Sequence, residues 1–284
     1  MKGIILAGGT GSRLHPLTIA TSKQLLPVYD KPLIYYPLST LMLAGIREIM
    51  VITTPHELEQ FQRLLRDGSH FGLSISYAVQ TQPNGIAEAL LIGESFIGPD
   101  QVALILGDNI FFGSGMGRAL SSKTNIVGAS IFAYPVPNPE DFGVIELLGS
   151  GRVLSIEEKP SMPRSNLVVP GLYFYDTTAI ERVKTLVPSP RGELEITDLH
   201  KSYLTDALLH AELLQDEVTW MDAGTVESLF EAARVVRAIQ ERENRKINVP
   251  EEIAFRLGYI DRDQLLFLAK NYEKSGYWSY LNGL

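Results

Sequence analysis

Gly3-Ile4-Ile5-Leu6-Ala7-Gly8-Gly9-Thr10-Gly11-Ser12-Arg13-Leu14, at the start of the chain, is the stretch on which the fold turns. A short apolar run that feeds straight into a glycine-rich turn carrying an arginine predicts a buried strand delivering backbone amides and a cation to a phosphate chain. Gly8, Gly9 and Gly11 suit a backbone that takes positive φ or approaches a ligand closely, with successive N–H groups aimed at one anion. The plain alternative is an ordinary strand-to-helix turn, since such turns also serve tight packing. Two familiar nucleotide loops are excluded. The dinucleotide fingerprint needs a glycine where Leu14 stands, and the mononucleotide loop needs Gly-Lys-Ser/Thr, which is absent. What remains is a loop closed by Arg13, with Lys23 following in Ser22-Lys23-Gln24-Leu25-Leu26-Pro27. A guanidinium fork plus a lysine point charge suits a polyphosphate better than a pyrophosphate, so the expected ligand is a nucleoside triphosphate.

The 284 residues can bury one large core, or a main domain with an appendage, and 45% hydrophobic residues fit a globular protein. The absence of cysteine removes disulfides and thiolate metal sites and is comfortable in a reduced cytosol. The first apolar run is shorter than a signal-peptide core of roughly seven to fifteen residues, and no run approaches a membrane span. The expectation is a cytoplasmic protein with no membrane partner. A net charge of −8 argues against a nucleic-acid polymer, whose phosphates would have to be met by surface Lys and Arg. A small anionic substrate needs only a local cationic pocket.

Strand and helix signals then alternate. Pro32 to Ala44 reads as a buried helix that starts or kinks at Pro37 and ends at Gly45. Ile49 to Thr53, Leu73 to Val79 and Gln101 to Leu106 read as strands, with a Pro55-led helix stopping at Gly68. The expected fold class is α/β: a Rossmann-like, mostly parallel central sheet flanked by helices, with ligands at the carboxyl ends of its strands. From Ile126 to Tyr175 the strand signals crowd together, and Gly149-Ser150-Gly151 reads as a hairpin-like loop, so an inserted strand layer is expected there. A helical C-terminal appendage completes the reading: 1–242 is the main domain, 126–222 its second half, and 243–284 the extension.

Functional residues should therefore follow strands. Gln80, in Gln80-Thr81-Gln82-Pro83-Asn84-Gly85, offers one donor and one acceptor to the imide edge of thymine or uracil, or else belongs to a polar turn. Asp108, after Val102 to Leu106, is placed to bind Mg²⁺, which takes one or two carboxylates plus phosphate oxygens, or else belongs to an ordinary Gly-Asp turn. Asp222, in Trp220-Met221-Asp222-Ala223-Gly224-Thr225, repeats that theme and is a second metal candidate, while Thr225 reads equally as the N-cap of a helix from Val226 to about Arg242. In Glu157-Glu158-Lys159-Pro160 the proline predicts an extended Lys159, available for a second phosphate with Glu158 on sugar hydroxyls; a solvated loop end is the alternative. The five histidines show no ligand spacing and carry no assigned chemistry.

These motifs, together with Tyr29-Asp30-Lys31-Pro32, Gly171-Leu172-Tyr173-Phe174-Tyr175-Asp176 and Arg191-Gly192-Glu193-Leu194-Glu195-Ile196-Thr197-Asp198, resemble the glucose-1-phosphate thymidylyltransferases across nearly the whole chain. The glycine loop with its Arg and Lys is common to sugar nucleotidyltransferases; the segments 29–37 and 191–198 are more particular to the thymidylyl branch. The resemblance implies transfer of a thymidylyl group from dTTP to glucose 1-phosphate, with release of pyrophosphate, as a first step toward dTDP-deoxysugars. It implies catalytic roles for Arg13, Lys23, Asp108 and Lys159, and Mg²⁺ on Asp108 and Asp222. Nucleotide contacts would come from Leu6, Gly8, Gly9, Thr10, Gly11, Gln80, Pro83 and Gly85, and sugar contacts from Asn109, Gly143, Glu158, Lys159, Glu195 and Thr197. Phe142, Ala223 and Pro170 depart from the tyrosine, threonine and threonine common at those places, and none removes a charged group. The resembled enzymes are homotetramers with feedback inhibition by a dTDP-sugar such as dTDP-rhamnose near the tail, which implies regulatory contacts at Glu252 and Arg256. The tail aromatics Tyr272, Tyr277, Trp278 and Tyr280 either pack back on the domain or form an interface.

Overall fold

The computed structural model describes residues 1–123, 125–149, 151–214 and 217–284; Ser150, in the middle of the expected hairpin loop, lies outside the described residues. The chain opens with β1 (Lys2–Ala7), passes through the short pair β2 (Pro27–Val28) and β3 (Lys31–Pro32), and returns as β4 (Glu48–Thr53), β5 (Ser74–Val79) and β6 (Val102–Leu106). It continues through β7 (Asn109–Gly113), β8 (Ala129–Pro135), β9 (Gly143–Leu148), β10 (Arg152–Glu158), β11 (Leu167–Val168), β12 (Leu172–Tyr175), β13 (Leu209–Leu213) and β14 (Val218–Asp222). Ten strands form one sheet in the order β11-β9-β10-β13-β8-β12-β6-β1-β4-β5.

The β5-β4-β1-β6 part is parallel throughout. Central parallel strands are buried on both faces, so they read as unbroken apolar runs. Alternate residues of β1 therefore serve different cores: Ile5 packs with Leu38 and Leu41 of the helix Tyr35–Leu43, and Ile4 with Ala89 and Leu90 of the helix Glu88–Ile92. The first helix begins at Pro37's own first turn, where a missing N–H costs nothing. The helix expected from Pro55 is shorter, Leu58–Leu65, with a turn before it.

Chain direction reverses at β12, which pairs antiparallel with β6 on one side and β8 on the other. The inserted strands continue this edge of the same sheet, β9 and β10 as a hairpin. A separate ribbon forms where β14 pairs antiparallel with β7, setting Asp222 opposite Asn109. Thr225 then caps the long helix Val226–Glu243 through a reciprocal pair: its hydroxyl accepts from the Ser228 N–H and the Ser228 hydroxyl accepts from its own.

The tail forms the helices Pro250–Arg256, Arg262–Ala269 and Gly276–Asn282, whose Ile253, Leu265 and Leu281 join the same core as Ile5. The tail aromatics pack back: Tyr272 and Tyr277 donate hydroxyl hydrogen bonds of 2.9 and 2.7 Å to Glu251, and Tyr280 one of 2.6 Å to Glu252. Glu251 has no exposed surface. Burial raises its carboxyl, against the two tyrosine hydroxyls and Lys31. No helix of the described residues is long and apolar enough to cross a membrane.

Candidate active site

A cleft of about 700 Å³ opens at the carboxyl ends of β1 and β6, the expected position for a ligand in such a sheet. One end is the glycine loop. Gly9 and Gly11 have φ of +95° and +60°, values that favour glycine, and a second small cavity lies over Gly8 to Leu14 with Lys23 and Gly224. Arg13 reaches this end past Gly224, where an added Cβ would sit 3.4 Å from its Nη2.

Asp108 lies in the turn between β6 and β7 and Asp222 ends β14, so the β7–β14 ribbon is what brings these two distant residues together. Lys23, delivered by the turn Lys23–Leu25, forms an ion pair with Asp108. Burial alone would raise the Asp108 carboxyl; the Lys23 charge and hydrogen bond, with the Asn109 amide and a backbone N–H, together outweigh it and hold the group below the ordinary carboxylate range. Asp222 goes the other way. Burial and then the Asp108 charge push it up to about 7, against the opposing pull of Lys23 and Arg13. Two buried carboxylates of which one resists ionisation form a site short of positive charge. Among the described residues no cluster of three or more His, Asp or Glu could cage a metal. An aspartate pair in which each charge opposes the other fits Mg²⁺, which takes one or two carboxylates and completes its shell with phosphate oxygens and water.

Asn109 holds this corner together. Its Oδ1 accepts from the indole N–H of Trp220 at 2.6 Å and from the Gly171 N–H at 2.9 Å, while its Nδ2 donates to Asp108 at 2.9 Å. Phe142, standing where a tyrosine was expected, packs edge-on against Trp220 with ring centres 5.5 Å apart.

The far end of the cleft is the inserted half of the sheet. Glu158 accepts a 2.5 Å hydrogen bond from the Thr197 hydroxyl, and an added Cβ on Gly143 would come within 3.3 Å of that hydroxyl. Lys159 lines the cleft, yet it is not extended as Pro160 predicted: its φ is +42°. The proline only disfavours the right-handed helical region, and the Lys159 N–H is held by the Phe142 carbonyl at 3.0 Å, which keeps the strand pairing up to the bend.

Beside the glycine loop, Gln80 is 7% exposed and faces the cleft with Pro83 and Gly85. Its Nε2 donates to Glu88 at 2.7 Å and to the Gly85 carbonyl at 3.2 Å, so both amide hydrogens are engaged and only Oε1 is left to present. The expected donor-plus-acceptor edge is thus an acceptor alone.

Of the residues singled out in the sequence, Leu6, Gly8, Gly9, Arg13, Lys23, Gln80, Pro83, Gly85, Asp108, Asn109, Gly143, Glu158, Lys159, Thr197 and Asp222 line the cleft, and Thr10 and Gly11 line the adjoining small cavity. Glu195 lines neither. The Arg191 Nη2 donates to both of its carboxylate oxygens, at 2.8 and 2.9 Å, and the Ser189 hydroxyl donates to it at 2.7 Å, so it braces the 188–195 loop. Glu252 and Arg256 lie outside both cavities and pair with each other at 2.7 Å. Tyr134, Tyr173, Trp220 and His200 were not anticipated as cleft residues. His200 sits one helical turn after Thr197, a spacing that could have revealed it. Its Nε2 meets the Tyr175 hydroxyl at 2.7 Å, and burial pushes the imidazole down to about 3.

A family model described as nucleotidyl transferase matches residues 2–238. The chain is 54% identical over 281 residues to the glucose-1-phosphate thymidylyltransferase of Mycobacterium tuberculosis, covering 99% of this chain and 98% of that one. It is 55% identical over 282 residues to the glucose-1-phosphate thymidylyltransferase of Neisseria meningitidis, again covering 99% and 98%. Among solved structures it resembles a UDP-glucose pyrophosphorylase complexed with UDP-glucose, with a TM-score of 0.73, 27% identity, and coverage of 84% of this chain and 98% of that one.

Proposed function

Since this chain belongs to the nucleotidyl transferase family, alongside the glucose-1-phosphate thymidylyltransferases, we propose that it transfers a thymidylyl group from dTTP to α-D-glucose 1-phosphate. The products are dTDP-glucose and pyrophosphate, and the step opens a route to dTDP-deoxysugars. One observation carries the reading: a single cleft joins the glycine loop and its cations, with Asp108 and Asp222 beside them, to Glu158, Lys159 and Thr197.

A phosphate oxygen of the sugar substrate attacks the α-phosphorus in line; the new P–O bond forms as the bond to the bridging oxygen breaks, and the electron pair leaves on pyrophosphate. No protein nucleophile takes part. Lys159 holds the sugar phosphate, Lys23 sits by the triphosphate, and Arg13 with the Gly8–Gly11 amides steadies the departing pyrophosphate. Asp108 and Asp222 would hold Mg²⁺, which supplies neutralisation of phosphate charge. Asn109 and Gly143 shape the sugar end, Glu158 takes hydroxyls with Thr197 bonded behind it, and Glu195 contributes through its loop. Leu6, Thr10, Pro83 and Gly85 enclose the nucleotide.

Residues 1–242 form the catalytic domain, with 126–222 carrying most of the sugar end, and 243–284 a helical extension. Glu252 and Arg256 on that extension are contacts for a feedback ligand of the dTDP-rhamnose type, in a homotetramer working in the cytoplasm. Supporting a separate role, the pair stands apart from the cleft. The test is pyrophosphate release with Mg²⁺ across dTTP, UTP, CTP and GTP and several sugar 1-phosphates. Release that is fastest with dTTP and glucose 1-phosphate is expected; none with any pair refutes the reading.

A further inference from the structure

Glu88 opens the helix Glu88–Ile92 behind the base-facing loop and lies outside the cleft wall. Its carboxylate accepts from the Gln80 amide at 2.7 Å through one oxygen and from the Asn84 amide at 2.8 Å through the other. A carboxylate only accepts, so the Gln80 NH₂ must face it, and the Gly85 carbonyl at 3.2 Å, also an acceptor, takes the second hydrogen. That leaves Oε1 turned toward the glycine loop, where a Cβ added to Gly8 would come within 2.9 Å of it. No hydrogen bond among the described residues ends on that oxygen. Building on the proposed function, we propose that Glu88 is a positioning residue for base selection: by fixing the Gln80 amide it presents a lone acceptor, which accepts a base with a ring N–H and rejects one with a ring nitrogen lone pair.

Thymine and uracil carry N3–H and would donate to Oε1. Cytosine carries an unprotonated N3, so its lone pair would confront another acceptor, with no amide hydrogen free to answer it. Rotating the amide to admit cytosine would turn Oε1 against the Glu88 carboxylate and the Gly85 carbonyl, two acceptors at once. Asn84, bonded to the second carboxylate oxygen, keeps Glu88 from following.

Glu88→Gln removes this constraint, because its new amide can donate to Oε1 and let Gln80 turn its NH₂ toward the base. The kcat/KM ratio for dTTP over dCTP, with glucose 1-phosphate fixed, is expected to fall by about tenfold or more, one hydrogen bond's worth of discrimination. Glu88→Ala frees the amide without a replacement partner and raises KM for dTTP but not for glucose 1-phosphate. Circular dichroism confirms folding of both variants. Calorimetric binding of dTTP and dCTP yields the same ratio without turnover, so a protein that releases no pyrophosphate would overturn the transfer reading while the role of Glu88 is still decided. An unchanged ratio in both variants, or equal losses for the two nucleotides, overturns the role of Glu88.

Discussion

Replacing Lys23 with methionine keeps the length of the side chain and removes its charge. In the folded protein the lysine and Asp108 side chains are only 12% and 15% exposed, and the ammonium is the contact that lets Asp108 stay ionised beside Asp222. Opposite charges at about 4 Å attract by about 4 kcal/mol at an effective dielectric near 20. Removing one member of a buried pair costs about 3–5 kcal/mol, because the survivor is left uncompensated. With both groups slightly open to water, the lower figure applies, and Tm is expected to fall by roughly 6 °C, at about 2 °C per kcal/mol for a chain of this size. Mg²⁺ should return part of that loss, since a cation on the two carboxylates replaces the missing charge. It will not return activity, because the charge beside the triphosphate is gone. Pyrophosphate release should drop by about 10²–10³-fold, the usual consequence of deleting one group that stabilises developing charge. Differential scanning calorimetry with and without Mg²⁺, alongside steady-state kinetics, decides the matter. Activity within about threefold of wild type, or a Tm deficit indifferent to Mg²⁺, would refute the reasoning.

Trp220→Phe removes the 2.6 Å donor to Asn109, and because the Gly171 N–H still serves that oxygen the cost is about 1 kcal/mol in stability, read as a small fall in Tm; no fall means the bond contributes nothing. Gly85→Ala places a Cβ 2.4 Å from the Leu194 carbonyl at a φ of +106°, so the base-facing loop must shift and KM for dTTP should rise by about tenfold or more, while an unmoved KM would show that the loop adapts. At Asp176, burial alone would raise the carboxyl, but the Thr178 hydroxyl, the Gly128 and Thr178 N–H groups and the Tyr203 hydroxyl outweigh it and lower it. A lowered folded-state value means stability that is present above the unfolded value and lost as pH falls through the folded one. Asp176→Asn should therefore cost about 1 kcal/mol at neutral pH, allowing for partial exposure, with the gap to wild type closing toward pH 3. Urea titrations at several pH values check this, and a gap that widens on acidification contradicts it.

The parallel strands and the loops behind them are legible in the sequence because buried strands are uninterrupted apolar runs and their chemistry follows directly, as Asp108 follows Val102 to Leu106. Asp222 is legible by the same rule, although nothing local says that it lies beside Asp108. That proximity depends on the β7–β14 ribbon, a pairing between segments far apart in the chain. What stays hidden are partners chosen across such distances. The indole of Trp220 finds Asn109, Glu195 turns to Arg191, and the Gln80 amide is spent on Glu88 before any base arrives. Lys159 is the instructive case. The following proline says which conformation to avoid, but a carbonyl on the neighbouring strand decides which one is taken.

The reversal of strand direction at β12 bears on how such proteins diverge. The segments we assign to the nucleotide and those we assign to the sugar meet within the sheet at the ladder between β6 and β12, whose backbone hydrogen bonds do not depend on side-chain identity. Side chains that face the cleft can change on one side while that ladder holds, whereas Leu104, Ile131 and Tyr173, which share one core across it, are constrained together. A lineage can exchange one sugar for another while its inherited nucleotide apparatus is left untouched, and the laboratory equivalent is a chimaera joined at that seam.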